Sequence, residues 1–218
     1  MLFASVRGVI LDLDGTLADT LRDITDAVNV ALRELGLPAQ PMSAVRRFVG
    51  DGLPMLCRRA MGFEDDQKLN RMIEIVTREY RAHELDHTTL YPGIPELLDG
   101  LTSRGLPMAV LSNKPHASTE RMVRHLCGKW RFVAVEGYRS EDMRKPDPRL
   151  ALEIATAMRL PASAVCLVGD SLTDLATARA AGMSCVLATW GFRDRDELAA
   201  GSPDALIDRP TELLELLG

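Results

Sequence analysis

The chain has 218 residues, 46% of them hydrophobic and 26% charged, with a formal net charge of −5. That length suits one large domain or a domain carrying a smaller insertion, and the composition is that of a globular protein rather than a disordered or fibrous one. The acidic balance argues against a general nucleic-acid or anionic-membrane partner. No basic leader or long apolar segment precedes the first apolar run, so the default expectation is a cytoplasmic location.

Val9, Ile10 and Leu11 read as a buried strand of a parallel sheet, apolar on both faces. The strand runs into Asp12-Leu13-Asp14-Gly15-Thr16. That order sets two acids at the carboxyl edge of the sheet, where open α/β folds bind ligands. Strand alternation predicts that Asp12 and Asp14 share one side. Crowded carboxylates repel unless a proton or cation separates them, and a hard divalent ion with oxygen ligands, Mg2+, fits. Taken alone, the stretch reads more readily as an acid-rich turn, since short motifs match by chance.

Helical spacing follows. Leu21, Ile24, Val28, Ala31, Leu32 and Leu35 share one face, and Gly36 closes the run. Ser43 is the expected N-cap of a short helix carrying Val45 and Phe48. Gly50-Asp51-Gly52 interrupts, Leu53 to Ala60 resumes the period up to Gly62, and Leu69 to Tyr80 gives one more helix. Residues 17–84 therefore read as a helical bundle with no strand signal, inserted after the first strand. Residues 1–16 and 85–218 form the core domain.

From Tyr91-Pro92-Gly93 onward, helix and strand alternate. Strands are expected at Met108–Leu111, Phe132–Val135, Val165–Val168, Cys185–Leu187 and Ala205–Ile207. Helices are expected at Pro95–Leu101, Ser118–Leu126, Pro148–Met158, Leu172–Ala181 and Thr211–Leu217. The alternation predicts an α/β fold with a doubly wound, Rossmann-like parallel sheet. Cys57, Cys166 and Cys185 lie in apolar runs, and the four cysteines show no Cys-x-x-Cys spacing, so buried reduced thiols are expected.

Three further segments of this half end in polar residues: Leu111 in Ser112-Asn113-Lys114, Val168 in Gly169-Asp170 through Asp174, and the loop after the Phe132 strand in Lys145-Pro146-Asp147. In a parallel sheet these lie on the same edge as Asp12 and Asp14. Asp170 and Asp174 also suit the first turn of the Leu172 helix, where the helix dipole favours acids. Ser112 could otherwise satisfy a loop, and Lys145 could be a solvated charge.

The four segments, in this order, resemble the haloacid dehalogenase-like phosphatases: Asp12 to Thr16, Ser112, Lys145 and Gly169 to Asp174 match the four motifs of that superfamily. Phe48 to Gly52, Tyr91-Pro92-Gly93, Ser112 to Pro115 and Arg144 to Pro148 are similar to the phosphoglycolate phosphatase group. The resemblance implies a Mg2+-dependent phosphomonoesterase with Asp12 as nucleophile and Asp14 as general acid and base. It implies Ser112 on the phosphate and Lys145 on the phosphoryl oxygens. Mg2+ would lie on Asp12, the main chain of Asp14, and Asp170, with Asp174 behind them. Leu13, Gly15, Thr16 and Asn113 would line the phosphate site, and Gly50, Asp51 and Gly52 would reach it from a mobile cap. Dehalogenases of the superfamily lack an acid at the position of Asp14. A small phosphorylated metabolite, 2-phosphoglycolate first, is the implied substrate, with Arg46, Arg47 and Arg58 as candidate cations for its carboxylate. A sugar phosphate, nucleotide or pyrophosphate, or a β-phosphoglucomutase-like mutase reaction, is the alternative, and a monomer or homodimer is expected.

His83-Glu84-Leu85-Asp86-His87 fits the His-Glu-x-x-His pattern of zinc hydrolases. It sits at the end of the helical insert with no third ligand in a downstream motif, so a chance match on a solvated helix end is the expected reading.

Overall fold

The computed structural model describes residues 2–218 and divides into two compact units, Met1–Ala18 with Leu90–Gly218, and Asp19–Thr89. The first unit is built on a six-stranded parallel sheet. Its strands are β1 (Gly8–Leu11), β4 (Met108–Pro115), β5 (Ala134–Tyr138), β6 (Val165–Gly169), β7 (Ser184–Ala188) and β8 (Ala205–Ile207), in the order β5-β4-β1-β6-β7-β8. All four residues of β1 are buried, and the strand pairs with β4 on one side and β6 on the other. The strand order reverses direction beside β1, so its carboxyl end opens at the crevice where such sheets place ligands.

Helices α5 (Ile94–Ser103), α6 (His116–Cys127), α7 (Arg149–Ala157), α8 (Leu172–Ala181), α9 (Arg195–Ala200) and α10 (Glu212–Leu217) connect or follow the strands. One core cluster joins sheet and helices through Ile10, Leu111, Ile154, Leu167, Leu175 and Leu187. It meets the expectation of strands apolar on both faces.

The second unit holds α1 (Leu21–Glu34), α2 (Met42–Phe48), α3 (Leu53–Met61) and α4 (Asp66–His83). Val28, Leu32, Val45, Cys57, Met72 and Ile75 are buried there. The chain crosses between the units twice, at β2 (Ala18–Asp19) and β3 (Thr89–Leu90), which pair as a two-stranded sheet. Within the second unit, the buried carboxylate of Asp23 accepts from the main-chain N–H of His87 and Thr88 and from the Thr88 hydroxyl. No helix among the described residues is long and apolar enough to cross a membrane.

Several local expectations change. Ser43 lies inside α2, because the extended Pro41 is the residue that opens the helix and takes the Ala44 N–H on its carbonyl. The tract 17–84, read as strand-free, contains β2 at its start, and β3 lies just beyond its end; two residues each are too short to show periodicity. Strand β5 starts at Ala134, leaving Phe132 and Val133 before it, since a continuous apolar run does not fix register. Helix α9 was not expected; Leu198 is its one buried residue, so it carries no amphipathic pattern. All four cysteines, Cys127 included, are free and buried.

Two differences bear on the site. Strand β1 ends at Leu11; Asp12 follows with one more ladder bond to β6, and Asp14 lies beyond it in a separate bridge to Ala18, so the two acids are not on one continuous strand. Strand β4 runs on to Pro115, so Ser112, Asn113 and Lys114 are strand residues; Ser112 and Pro115 pair with β5, and Asn113 and Lys114 fall in the register shift between them.

Candidate active site

Asp12 prolongs the β1–β6 ladder by one bond, from its N–H to the Val168 carbonyl at 2.8 Å. Its carboxylate takes the Leu13 N–H at 2.7 Å and the Lys145 ammonium at 2.8 Å. Lys145 Nζ also lies 2.6 Å from Asp174 Oδ1. Three segments far apart in sequence therefore share one buried ion cluster.

Each partner is held by its own local structure. Asn113 accepts the Lys145 main-chain N–H at 2.8 Å and donates to its carbonyl at 3.0 Å. That fastens the Lys145 loop to β4, so Asn113 braces Lys145. Ser171 is the N-cap of α8 and forms a capping box with Asp174. The acid thus serves the helix start and the Lys145 ammonium together.

Asp170, Asp12 and Asp174 are all buried and present carboxylate oxygens within 4.8 Å of one another. Burial, and then the Asp174 charge, push the Asp170 carboxyl from an ordinary 3.8 up to about 7. Burial raises Asp12 as well; the Lys145 charge opposes that, and Asp174 and Asp170 add to it. For Lys145, burial favours the neutral amine, but the Asp12 and Asp174 charges override it and raise its pKa, so it is an ammonium. One buried cation against three carboxylates leaves an excess of negative charge on oxygen donors. That set fits a hard divalent cation, and the cluster can hold a metal ion.

Two glycines from separate loops press on Asp170. Gly15 has φ +81°, and a Cβ there would fall on the Asp170 carboxylate. A Cβ on Gly191 would strike both Asp170 and the Gly15 carbonyl. The same loop donates the Phe192 N–H to Asp170 Oδ2 at 2.6 Å and the Trp190 indole N–H to the Thr16 carbonyl at 3.0 Å. Gly191→Ala is therefore expected to cost about 1–3 kcal/mol, as overpacking does. Urea unfolding of the variant checks this, and an unchanged midpoint would remove the close-packing argument.

Asp14 faces a different ammonium. Lys114 Nζ reaches both of its carboxylate oxygens at 2.9 Å. Ser112 is buried, and its hydroxyl accepts the Lys114 N–H at 3.2 Å. The Leu13 side chain is fully buried, while its carbonyl takes the Leu17 and Ala18 N–H groups and folds the turn. The Thr16 hydroxyl is buried and has no hydrogen-bond partner among the described residues.

In the second unit, Gly50 and Gly52 take positive φ, and Asp51 pairs with Arg59 at 2.6 Å. Arg59 also donates to the Phe48 carbonyl at 3.1 Å, which ties the loop to α2 and α3. Arg58 pairs with Glu64 at 2.6 Å on the surface, and Arg46 and Arg47 sit in the last turn of α2. His83 pairs with Asp86 at 2.8 Å, and His87 lies 3.4 Å from Asp23. Neither histidine joins a group of three or more potential metal ligands among the described residues.

The family model described as haloacid dehalogenase-like hydrolase matches residues 9–188. The chain belongs to that family. A phosphoglycolate phosphatase of Pseudomonas savastanoi pv. phaseolicola is 35% identical over 94% of this chain and 78% of its own length. One from Chromobacterium violaceum is 30% identical over 97% of this chain and 96% of its own. Among solved structures, a haloacid dehalogenase-like family hydrolase from Streptococcus pneumoniae superposes with a TM-score of 0.89 at 26% identity, covering 98% of this chain and 99% of that one. With this family and these relatives the chain is an enzyme, a phosphatase of phosphoglycolate phosphatase type.

Two parts of this haloacid dehalogenase-like site escaped the sequence reading. Lys114, placed at the sheet edge with Ser112, was given no role of its own, because its pairing with Asp14 is a contact between distant segments. The Trp190–Phe192 loop follows β7 at the same sheet edge as the motifs, and its glycine beside a bulky aromatic was the available signal.

Proposed function

We propose that this chain hydrolyses 2-phosphoglycolate through an aspartyl-phosphate on Asp12, with Mg2+ as cofactor. The observation that supports this most is the buried cluster of Asp12, Lys145, Asp170 and Asp174 at the end of β1. The phosphoglycolate phosphatases among its relatives point to the substrate.

In this reading an Asp12 oxygen attacks phosphorus while the bond to the glycolate oxygen breaks. Asp14 gives its proton to that leaving oxygen. Asp14 then takes a proton from the water that attacks the acyl phosphate, releasing phosphate and restoring Asp12. Lys145 holds positive charge against the phosphoryl oxygens throughout, and Ser112 donates its hydroxyl to them. The Thr16 hydroxyl, which no other group among the described residues satisfies, donates there too. Asp12, Asp170 and the Asp14 carbonyl would hold Mg2+, with Asp174 behind them. Bound, the ion supplies charge neutralisation of the phosphoryl group. The Asp19–Thr89 unit serves as the cap, with Gly50, Asp51 and Gly52 as its substrate loop.

Phosphate release over a panel of phosphomonoesters, with Mg2+ and with chelator, tests this. The highest kcat/KM is expected for 2-phosphoglycolate, with activity lost in chelator and restored by Mg2+. Turnover that survives complete chelation, or a panel led by sugar phosphates, would overturn it.

The carboxylate cluster also sets a pH dependence. Asp170 binds its proton more tightly in the folded chain than unfolded, its pKa being raised from 3.8 to about 7. The stability this confers is complete below about pH 4 and is lost as pH rises through about 7. Asp12 shifts in the same direction. The metal-free protein is therefore expected to melt at lower temperature at pH 8 than at pH 5, and Mg2+ to raise Tm more at pH 8. Scanning calorimetry at the two pH values reads both, and an equal Mg2+ effect at each would count against the shift.

A further inference from the structure

We infer that Lys114 is the specificity residue that binds the carboxylate of the substrate's leaving group, an inference that rests on the 2-phosphoglycolate reading above. Lys114 is buried, and its Nζ lies 2.9 Å from each oxygen of Asp14. Asp14 serves the ester oxygen of the leaving group. In 2-phosphoglycolate the carboxylate carbon stands two bonds from that oxygen, across one methylene. Whatever brings the ester oxygen to Asp14 therefore brings the carboxylate to the ammonium beside it.

The other cation of this cluster is committed elsewhere: Lys145 lies between Asp12 and Asp174 at 2.8 and 2.6 Å. The environment suits a charge-assisted contact. Out of bulk water an ammonium–carboxylate pair is stronger than on the surface, and an uncharged tail at the same place gains nothing from it. Lys114 is also held through its main chain, whose N–H meets the Ser112 hydroxyl, between Ser112 and Pro115, the two positions that pair with β5 on either side of it. The residue that contacts the tail and the residue expected on the phosphate are thus two positions apart on one strand. They would measure the distance between the two ends of a small anionic ester.

A lysine that only oriented Asp14 would act on every substrate alike, so selectivity is the test. Ethyl phosphate carries a methyl where 2-phosphoglycolate carries its carboxylate. The wild type is expected to favour 2-phosphoglycolate in kcat/KM, and Lys114→Met to lose about 10–100-fold of that preference, the range of a charge-assisted bond. Most of the loss should be in KM for 2-phosphoglycolate. Lys114→Arg should recover part of the preference. Lys114→Gln, which keeps a donor for Asp14, should bind glycolate as a product inhibitor about 10-fold or more weakly than wild type; this reading stands if the methionine variant fails to fold. An equal fall for both substrates, or unchanged glycolate inhibition, overturns the assignment to Lys114 while leaving the substrate intact. A wild type with no preference for 2-phosphoglycolate over ethyl phosphate overturns the substrate and this inference together.

Discussion

Lys145→Met is expected to destabilise the metal-free protein by about 3–5 kcal/mol near pH 8, the cost of removing one partner from a buried ion cluster. The ammonium is the counter-charge held between Asp12 and Asp174, and Asp170 adds a third buried carboxylate beside them. Methionine matches the stem of lysine in volume, so the loss is electrostatic and not a cavity effect. The sign of its pH dependence follows. As the pH falls and Asp12 and Asp170, both with raised pKa, take up protons, less negative charge remains for Lys145 to neutralise, and the variant should move toward wild-type stability. Activity should fall with it, because the phosphoryl oxygens lose their fixed cation. Urea unfolding at pH 8 and pH 5 without metal measures the stability arm. A variant as stable as wild type at pH 8 would show that the cluster is already largely protonated there.

Asp12→Asn is expected to have opposite effects on activity and stability. Turnover should fall by about 10^4-fold or more, the order seen when a covalent nucleophile is deleted. Acid-quenched protein should no longer carry phosphate. The metal-free fold should gain about 1–2 kcal/mol at pH 8, because one of three crowded carboxylates becomes neutral while Lys145 keeps Asp174. Residual hydrolysis near the wild-type rate would move the nucleophile elsewhere. Unchanged or lowered stability would mean that the Asp12–Lys145 pair outweighs the repulsion among the acids.

Much of this architecture was legible from periodicity. The buried strands Val9–Leu11 and Val165–Val168, the amphipathic α1, and the alternation after Tyr91 all carry strong apolar patterns. What stayed hidden has little pattern to carry. Strands β2 and β3 are two residues long, and α9 buries only Leu198. The four motif segments could be placed on one edge of the sheet because a parallel sheet leaves them no other place. The division of labour among them could not, since it depends on which ammonium each acid meets. Asp12 and Asp14 look alike in the sequence, yet one meets Lys145 and the other Lys114. Nothing in the spacing of Ser112-Asn113-Lys114 announces that the Asn113 amide engages the Lys145 main chain. Side-chain pairing across strands is tertiary information that spacing along one strand does not hold.

The bonds that Asp23 makes to Thr88, 65 residues away, together with the β2–β3 pair, hold the two ends of the helical insertion side by side. A host fold feels an insertion mainly through the entropy of closing it, which grows only logarithmically with its length. Here the guest closes itself, so the parallel sheet assembles as though it were bridging a hairpin. Such a junction lets one helical guest be exchanged for another of different size without retuning the host, which makes the catalytic half and the inserted half separable modules in the course of divergence.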